Sequence, residues 1–180
     1  VRREGRPVLA VGHSLGFLWL ASQEGWPVGS RLVGVNAFGC FTARPDFAQG
    51  TPPRILSRMI KGLETDATAV VNAFRAACGV PALPLTSAVN TQPLRAGLDM
   101  LMHADARGRL ASMAGRIHIL GGRQDTVVPP AMLAASVPPD CAIDWVEGGH
   151  VLPLTHPGDC ARFLRATAQD MAKDMGQPGL

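Results

Sequence analysis

Four short apolar segments, separated by stretches with helical periodicity, constrain the fold of this chain more than any other feature. They lie at residues 8–11, 31–37, 116–120 and 142–146. Strands that are apolar throughout, rather than on alternate residues, are typical of a parallel sheet covered by helices on both faces. Helical patterns at 15–24 and 157–175 flank these segments. We therefore predict an α/β fold with a mostly parallel sheet and flanking helices.

The region between the second and third predicted strands breaks this alternation. No strand is convincing there, and residues 53–61, 66–78 and 93–103 are predicted to be helices. We interpret this region, approximately 38–115, as a helical cap inserted between two strands. The core is then 1–37 and 116–180, and the whole chain is a single domain. Caps of this kind lie over an active site and shape the path of its substrate.

The composition excludes several classes of protein. The net charge is +3, without a run of Lys and Arg or an aromatic platform, which argues against a nucleic-acid partner. No apolar segment approaches the ~20 residues needed to span a bilayer. The spacing of the four cysteines, Cys40, Cys78, Cys141 and Cys160, matches no zinc site. We expect buried, reduced thiols and therefore a cytoplasmic protein.

The first predicted strand runs directly into the sequence G-H-S-L-G, which begins at Gly12 and is followed by a helical pattern. Such a turn can hold a nucleophilic serine, here Ser14, so that its oxygen stands clear of the backbone. Glycines also make ordinary turns, and serine is a common residue at a helix N-cap. The motif alone leaves both interpretations open.

A serine nucleophile needs a histidine as its base, and the chain has five. His13 is expected to point away from the serine across the turn, and His118 alternates within a strand. His103 ends a cap helix, and His156 precedes the last helix. His150 follows a strand through two glycines, in a loop that can carry its ring to the carboxyl edge of the sheet. We predict that His150 is the base.

The acid that would orient this base is Asp125, in the sequence LGGRQDTVVPP. A glycine-rich turn places it just after the third predicted strand, although an ordinary turn aspartate is the alternative. Ser14, Asp125 and His150 each follow the end of a strand. Their order along the chain is that of the α/β-hydrolase triad, which favours the catalytic interpretation of all three.

The motifs GHSLG, GGRQDTVVP and GGHVLPLTHP resemble the nucleophile, acid and histidine motifs of the α/β-hydrolase superfamily, over nearly the whole chain. More narrowly, the chain is similar to the pimeloyl-[acyl-carrier protein] methyl ester esterases of biotin synthesis. The stretches LVGVNAFGCFTARPDF, PRILSRMIKGLETD and GLDML carry this second likeness.

This resemblance implies a serine hydrolase that cleaves a carboxylic ester through an acyl-enzyme, with the methyl ester of pimeloyl-acyl carrier protein as substrate. A general carboxylesterase or thioesterase and an inactive fragment are the alternatives. The backbone N–H of Leu15 would serve as an oxyanion donor, and no metal or organic cofactor is needed. The substrate would contact Ser14, Leu15 and His150. Its acyl path would be lined by Met59, Ile60, Lys61, Gly62 and Leu63.

A basic face on the first cap helix points to a partner. Arg54, Arg58 and Lys61 are spaced to lie on one side of this helix, and Arg75 lies in the next one. Acyl carrier proteins are acidic, so these residues would steer a carrier-bound substrate to the enzyme. A solvated helix face is the alternative interpretation.

The chain departs from the family pattern at two places. Phe17 follows the elbow where the family has a small residue, and we expect it to narrow the pocket or displace the helix. The family also has several strands before the elbow, including the loop that supplies a second oxyanion donor. Residues 1–7 are too few to form them, so we expect the C-terminal part of a larger domain, weakly active alone.

Overall fold

The computed structural model of the protein describes residues 5–82 and 89–176. These residues form a four-stranded sheet in which the strands follow one another in chain order, all parallel. The strands are β1 (Leu9–His13), β2 (Arg31–Val35), β3 (Ile117–Gly122) and β4 (Ile143–Val146). The parallel sheet predicted from the apolar segments is confirmed, and all four carboxyl ends meet at one edge.

Eight helices surround the sheet in the described ranges. They are α1 (Leu15–Ala21), α2 (Pro53–Thr65), α3 (Ala67–Ala77), α4 (Thr91–His103), α5 (Arg107–Ala111), α6 (Pro130–Ser136), α7 (Leu152–Thr155) and α8 (Pro157–Gly176). The sequence pattern does not predict α5, α6 and α7, because helices of five, seven and four residues are too short to show a period. It also predicts that α1 ends at residue 24, three residues beyond Ala21.

Helices α2 to α5, here called the helical insertion, lie between β2 and β3. The described part of this region contains isolated bridges, such as Thr42 with Thr51, but no strand. Local side chains set its helix ends. The Asp66 carboxylate accepts a hydrogen bond from the Ala69 N–H at 2.9 Å and caps α3. Gly79, with φ of 72°, follows the end of the same helix.

Both faces of the sheet are covered. Ile119 belongs to the larger hydrophobic cluster and its neighbour Leu120 to a second one, and adjacent residues of a strand point to opposite faces. The larger cluster includes side chains of α1, α2 and α6, whereas Leu152 and Cys160 place α7 and α8 on the other face. No helix in the described ranges is long and apolar enough to cross a membrane.

Phe17 packs on the first of these faces. Its side chain is 0% exposed, and a Cβ at Gly34 of β2 would lie 2.9 Å from its Cδ2 atom. The glycine in the middle of β2 therefore leaves the space that the ring occupies. The expectation that Phe17 narrows a substrate pocket is wrong, because its side chain is enclosed in the core.

Candidate active site

Ser14 lies at the turn where β1 meets α1. Its φ of 53° is unusual for a residue with a side chain, and its hydroxyl makes no capping hydrogen bond to α1. The Oγ atom instead lies 3.1 Å from Nε2 of His150. Ser14 therefore occupies the N-cap position of α1, but its side chain does not cap the helix. A serine at a sharp strand-to-helix turn, with its hydroxyl directed to a histidine, is the geometry of a nucleophile elbow.

The two glycines of the elbow, Gly12 and Gly16, differ in whether a side chain would fit at their positions. A Cβ at Gly12 would lie 2.5 Å from the backbone N and Cα atoms of Phe17. A side chain there would force the start of α1 away from the end of β1. A Cβ at Gly16 would meet no heavy atom within 4 Å. The first glycine is thus required by close packing, and the second is not.

Asp125 and His150 form a buried pair beside the serine. His150 Nδ1 lies 2.8 Å from Asp125 Oδ2, and the two residues are 4% and 3% exposed. The other carboxylate oxygen, Oδ1, accepts hydrogen bonds from the Val127 and Val128 N–H groups at 2.9 and 2.8 Å. Because Nδ1–H donates to the carboxylate, Nε2 is left as the acceptor that faces the Ser14 hydroxyl.

The structure gives three other histidines local partners. His103 Nδ1 lies 2.9 Å from a carbonyl oxygen of its own helix. His118 Nε2 lies 3.3 Å from the Arg31 guanidinium, and burial lowers the pKa of His118. His156 Nδ1 bonds to the neighbouring threonine hydroxyl at 2.8 Å, and its ring packs against the chain two residues before His150. Of the candidate bases, the structure brings His150 to the serine.

His13 lies closer to this site than the sequence analysis expected. Its Nε2 is 2.7 Å from the backbone oxygen of His150, and the two imidazole centroids are 5.0 Å apart. Burial is the main cause that lowers the pKa of His13, which favours a neutral ring donating Nε2–H to that oxygen. Strand alternation predicts the face of β1 from which the His13 side chain points. It does not predict that the loop carrying His150 lies on that same face.

Asn36 is a second residue at the site that the sequence analysis missed. It follows β2 directly, is 0% exposed, and has a φ of 46°. Its side chain bonds to the loops that carry Asp125 and His150. A detectable signal was present, since an amide side chain comes immediately after a buried strand at the edge where the triad was predicted.

The helical insertion contacts the site at two points. A Cβ at Gly97 of α4 would lie 3.2 Å from the side chain of Leu15, the residue after Ser14. The hydroxyl of Thr126, the residue after Asp125, donates to the Ala77 carbonyl at the end of α3 at 3.2 Å. Two of the inserted helices therefore pack against the elbow and the acid loop, where a cap would have to lie.

The residues predicted to line an acyl path occupy consecutive positions of α2. Leu63 is buried, Met59 and Ile60 are partly buried against the core, and Lys61 is exposed. Five consecutive helical residues cover more than one full turn, so they cannot all face the same path. Their role, including that of Gly62, stays a prediction.

The residues predicted to contact a carrier protein also differ from one another in their surroundings. Arg54, Arg58 and Lys61 are exposed along α2. Arg75 instead donates from Nε and Nη2 to the Pro81 carbonyl, at 3.1 and 3.0 Å, and so is partly engaged within the protein. In residues 5–82 and 89–176 there is no cluster of three His, Cys, Asp or Glu side chains that could hold a metal ion.

Comparison with solved structures defines the class of fold. An esterase from Exiguobacterium antarcticum superposes with a TM-score of 0.65 at 16% identity, over 90% of this chain and 65% of that one. A bromoperoxidase from Bacillus anthracis superposes with a TM-score of 0.64 at 16% identity, over 91% and 68%. The chain thus spans less than two thirds of the Exiguobacterium protein. It has the α/β-hydrolase fold, as the sequence motifs predicted.

Comparison with curated sequences gives more particular relatives. The pimeloyl-[acyl-carrier protein] methyl ester esterase of Xylella fastidiosa strain M23 is 27% identical, over 88% of this chain and 70% of its own length. The protein of the same name from strain M12 is 25% identical over the same shares. No protein-family model matches the chain. The chain is similar in sequence to these esterases, which confirms the resemblance found in its motifs.

Proposed function

We propose that this protein is a serine hydrolase that cleaves a carboxylic ester through an acyl-enzyme on Ser14. The observation that carries the proposal is the hydrogen-bonded line from the Ser14 hydroxyl through His150 to Asp125. The three residues lie at the carboxyl ends of β1, β4 and β3, where the loops of a parallel sheet converge. Esterases among the similar proteins give independent support.

The reaction proceeds in two steps on these atoms. In the first, Ser14 Oγ attacks the ester carbonyl while His150 Nε2 takes its proton, and then gives that proton to the departing alcohol. In the second, His150 activates a water molecule that hydrolyses the acyl-enzyme and restores the serine. Asp125 holds the imidazole in the tautomer that both steps need and stabilises its protonated form.

The charge that develops on the carbonyl oxygen needs a donor close to the nucleophile. Leu15 occupies the first position of α1, so its N–H has no acceptor within the helix. In a nucleophile elbow the residue after the serine supplies this N–H to the oxyanion. We assign that role to the Leu15 backbone.

For the substrate we propose the methyl ester of a pimeloyl group carried by acyl carrier protein. The names of the similar esterases and the exposed basic residues of α2 support this choice. Acidic carrier proteins would be attracted to Arg54, Arg58 and Lys61. We also propose a cytoplasmic location. The four cysteines support it, because all of them are free thiols.

The test is a comparison of substrates with the same protein preparation. The pimeloyl methyl ester would be supplied on acyl carrier protein and on a short pantetheine analogue, a simple p-nitrophenyl ester would serve as the third substrate, and the product masses would be recorded. We expect loss of methanol from the carrier-bound substrate with the highest kcat/KM. Faster cleavage of the thioester bond would identify a thioesterase, and equal kcat/KM values for all esters would identify a general carboxylesterase. Hydrolysis that persists in Ser14→Ala would overturn the mechanism.

A further inference from the structure

The side-chain amide of Asn36 joins the two loops that carry the acid and the histidine. Its Oδ1 accepts a hydrogen bond at 2.7 Å from the N–H of Gly122, where the acid loop leaves β3. Its Nδ2 donates to the carbonyl oxygens of Gly149 and His150, at 2.9 and 2.7 Å. Both amide hydrogens and the amide oxygen are therefore engaged within the protein.

The backbone at this position is held as firmly as the side chain. The Asn36 N–H donates to the Leu120 carbonyl at 2.8 Å, which keeps the residue against β3 just beyond the end of β2. Its φ of 46° lies in the left-handed region, which asparagine tolerates better than most residues. A conformation of this kind persists where the surrounding contacts fix it, and such positions are concentrated at functional sites.

The carbonyl oxygen of His150 has a second partner. His13 Nε2 lies 2.7 Å from it, so this oxygen accepts one hydrogen bond from the end of β1 and one from the residue after β2. Asp125 holds the imidazole itself from the side of β3. The backbone and the ring of His150 are thus held by three different strand ends.

We propose that Asn36 is a positioning residue that fixes the backbone of His150 so that Nε2 faces the Ser14 hydroxyl. The proposal rests on the function proposed above for Ser14, His150 and Asp125. Two glycines precede His150, and the amide of Asn36 fixes the end of this loop through the Gly149 and His150 carbonyl oxygens. A displacement of about 1 Å between reacting groups can cost about 10²-fold in rate.

Two variants separate the hydrogen bonds from the backbone conformation. Asn36→Asp keeps the size of the side chain and the tolerance of positive φ, but presents oxygen to two carbonyl groups that need a donor. Asn36→Gly adopts positive φ freely and removes all three side-chain hydrogen bonds. Ser136→Ala is the matched control, because it removes one hydrogen bond of a fully buried side chain, to the Leu133 carbonyl, on α6 away from the site.

With a p-nitrophenyl ester, we expect kcat to fall about 10²-fold in both Asn36 variants, with little change in KM. Ser136→Ala should retain the kcat of the unmodified protein, whatever its change in melting temperature. Cooperative thermal unfolding shows which variants are folded, and Asn36→Gly keeps the test available if Asn36→Asp does not fold.

A second measurement does not depend on turnover. The Nδ1 proton of His150, hydrogen-bonded to Asp125, should give a downfield ¹H NMR resonance that is assigned by its loss in His150→Gln. We expect this resonance to be lost or broadened in both Asn36 variants and retained in Ser136→Ala and Ser14→Ala. Folded Asn36 variants with an unchanged resonance and unchanged kcat would overturn the proposal. If the unmodified protein hydrolyses no ester, the proposed function fails, and the resonance alone decides the role of Asn36.

Discussion

The carboxyl edge of the sheet and the helical insertion are built in opposite ways. At the edge, Asp125, His150 and Asn36 are nearly enclosed, and their polar side-chain atoms have partners at 2.7–3.1 Å. In the insertion, the charged side chains of α2 and α4 are exposed, and the ion pair of Arg95 with Glu64 is more than half exposed. Buried polar contacts specify one arrangement, whereas exposed ion pairs contribute little stability. The edge therefore specifies one arrangement of its polar side chains, whereas the exposed charges of the insertion place less constraint on its structure.

Substitution of the nucleophile should give the largest effect. Ser14→Ala removes the hydroxyl that we propose as the nucleophile, so kcat should fall by about 10³-fold or more. The measurement is steady-state hydrolysis of a p-nitrophenyl ester. The melting temperature should change little, because this hydroxyl caps no helix. Near-normal turnover in this variant would show that the hydrolysis does not use Ser14 at the edge of the sheet.

His150 and His156, which lie six residues apart, provide a matched pair. His150→Ala removes the base and should lower kcat by about 10³-fold or more. His156→Ala removes a ring that bonds only to a neighbouring hydroxyl and packs against the loop, so its effect on kcat should be small. Both are compared in the same ester assay. Loss confined to the His156 variant would reverse the assignment of the base.

Charge reversal on α2 tests whether the insertion selects the substrate. Arg54→Glu combined with Arg58→Glu should raise KM about tenfold for a carrier-bound ester and leave a small ester unaffected, because steering acts only on the charged carrier. Arg162→Glu combined with Arg165→Glu, at exposed positions of α8, makes the same change in net charge and is the control. Equal effects on the two substrates would show that the basic face is only a solvated helix surface.

The smallest expected effect is on the pH dependence of the melting temperature, and it concerns His118, which lies outside the candidate active site. Burial, and then the nearby Arg31 guanidinium, lower the pKa of His118 below its ordinary value of 6.5. Below pH 6.5 the unfolded chain binds a proton that the folded chain resists, so stability is lost as the pH falls. Between pH 7.5 and 5, the melting temperature of both proteins should fall. The fall should be smaller in His118→Gln, by about a few degrees, than in the unmodified protein.

The activity of the same variant provides a control for this measurement. His118→Gln should also retain its kcat at neutral pH, since the ring bonds to Arg31 rather than to the triad. A pH dependence that is unchanged in His118→Gln would assign the loss of stability to other groups, of which His13 is the first candidate.

The sequence predicted the parts of this molecule that local patterns determine. Apolar strands and the glycine turns after them are visible along the chain, and they lead to the parallel sheet and to the positions of Ser14, Asp125 and His150. The contacts of Asn36 and His13 were not predictable in the same way. They depend on which loops meet in space, and the chain separates Asn36 from His150 by more than a hundred residues. The short helices left no periodic pattern.

The most direct test of the central claim is labelling with a fluorophosphonate probe, followed by peptide mapping by mass spectrometry. Such a probe reacts only with a serine that a neighbouring base activates. We predict a single adduct on Ser14 in the folded protein, no adduct in Ser14→Ala, and strongly slowed labelling in His150→Ala. Folded protein that stays unlabelled, or an adduct on a different serine, would contradict the assignment of the active site.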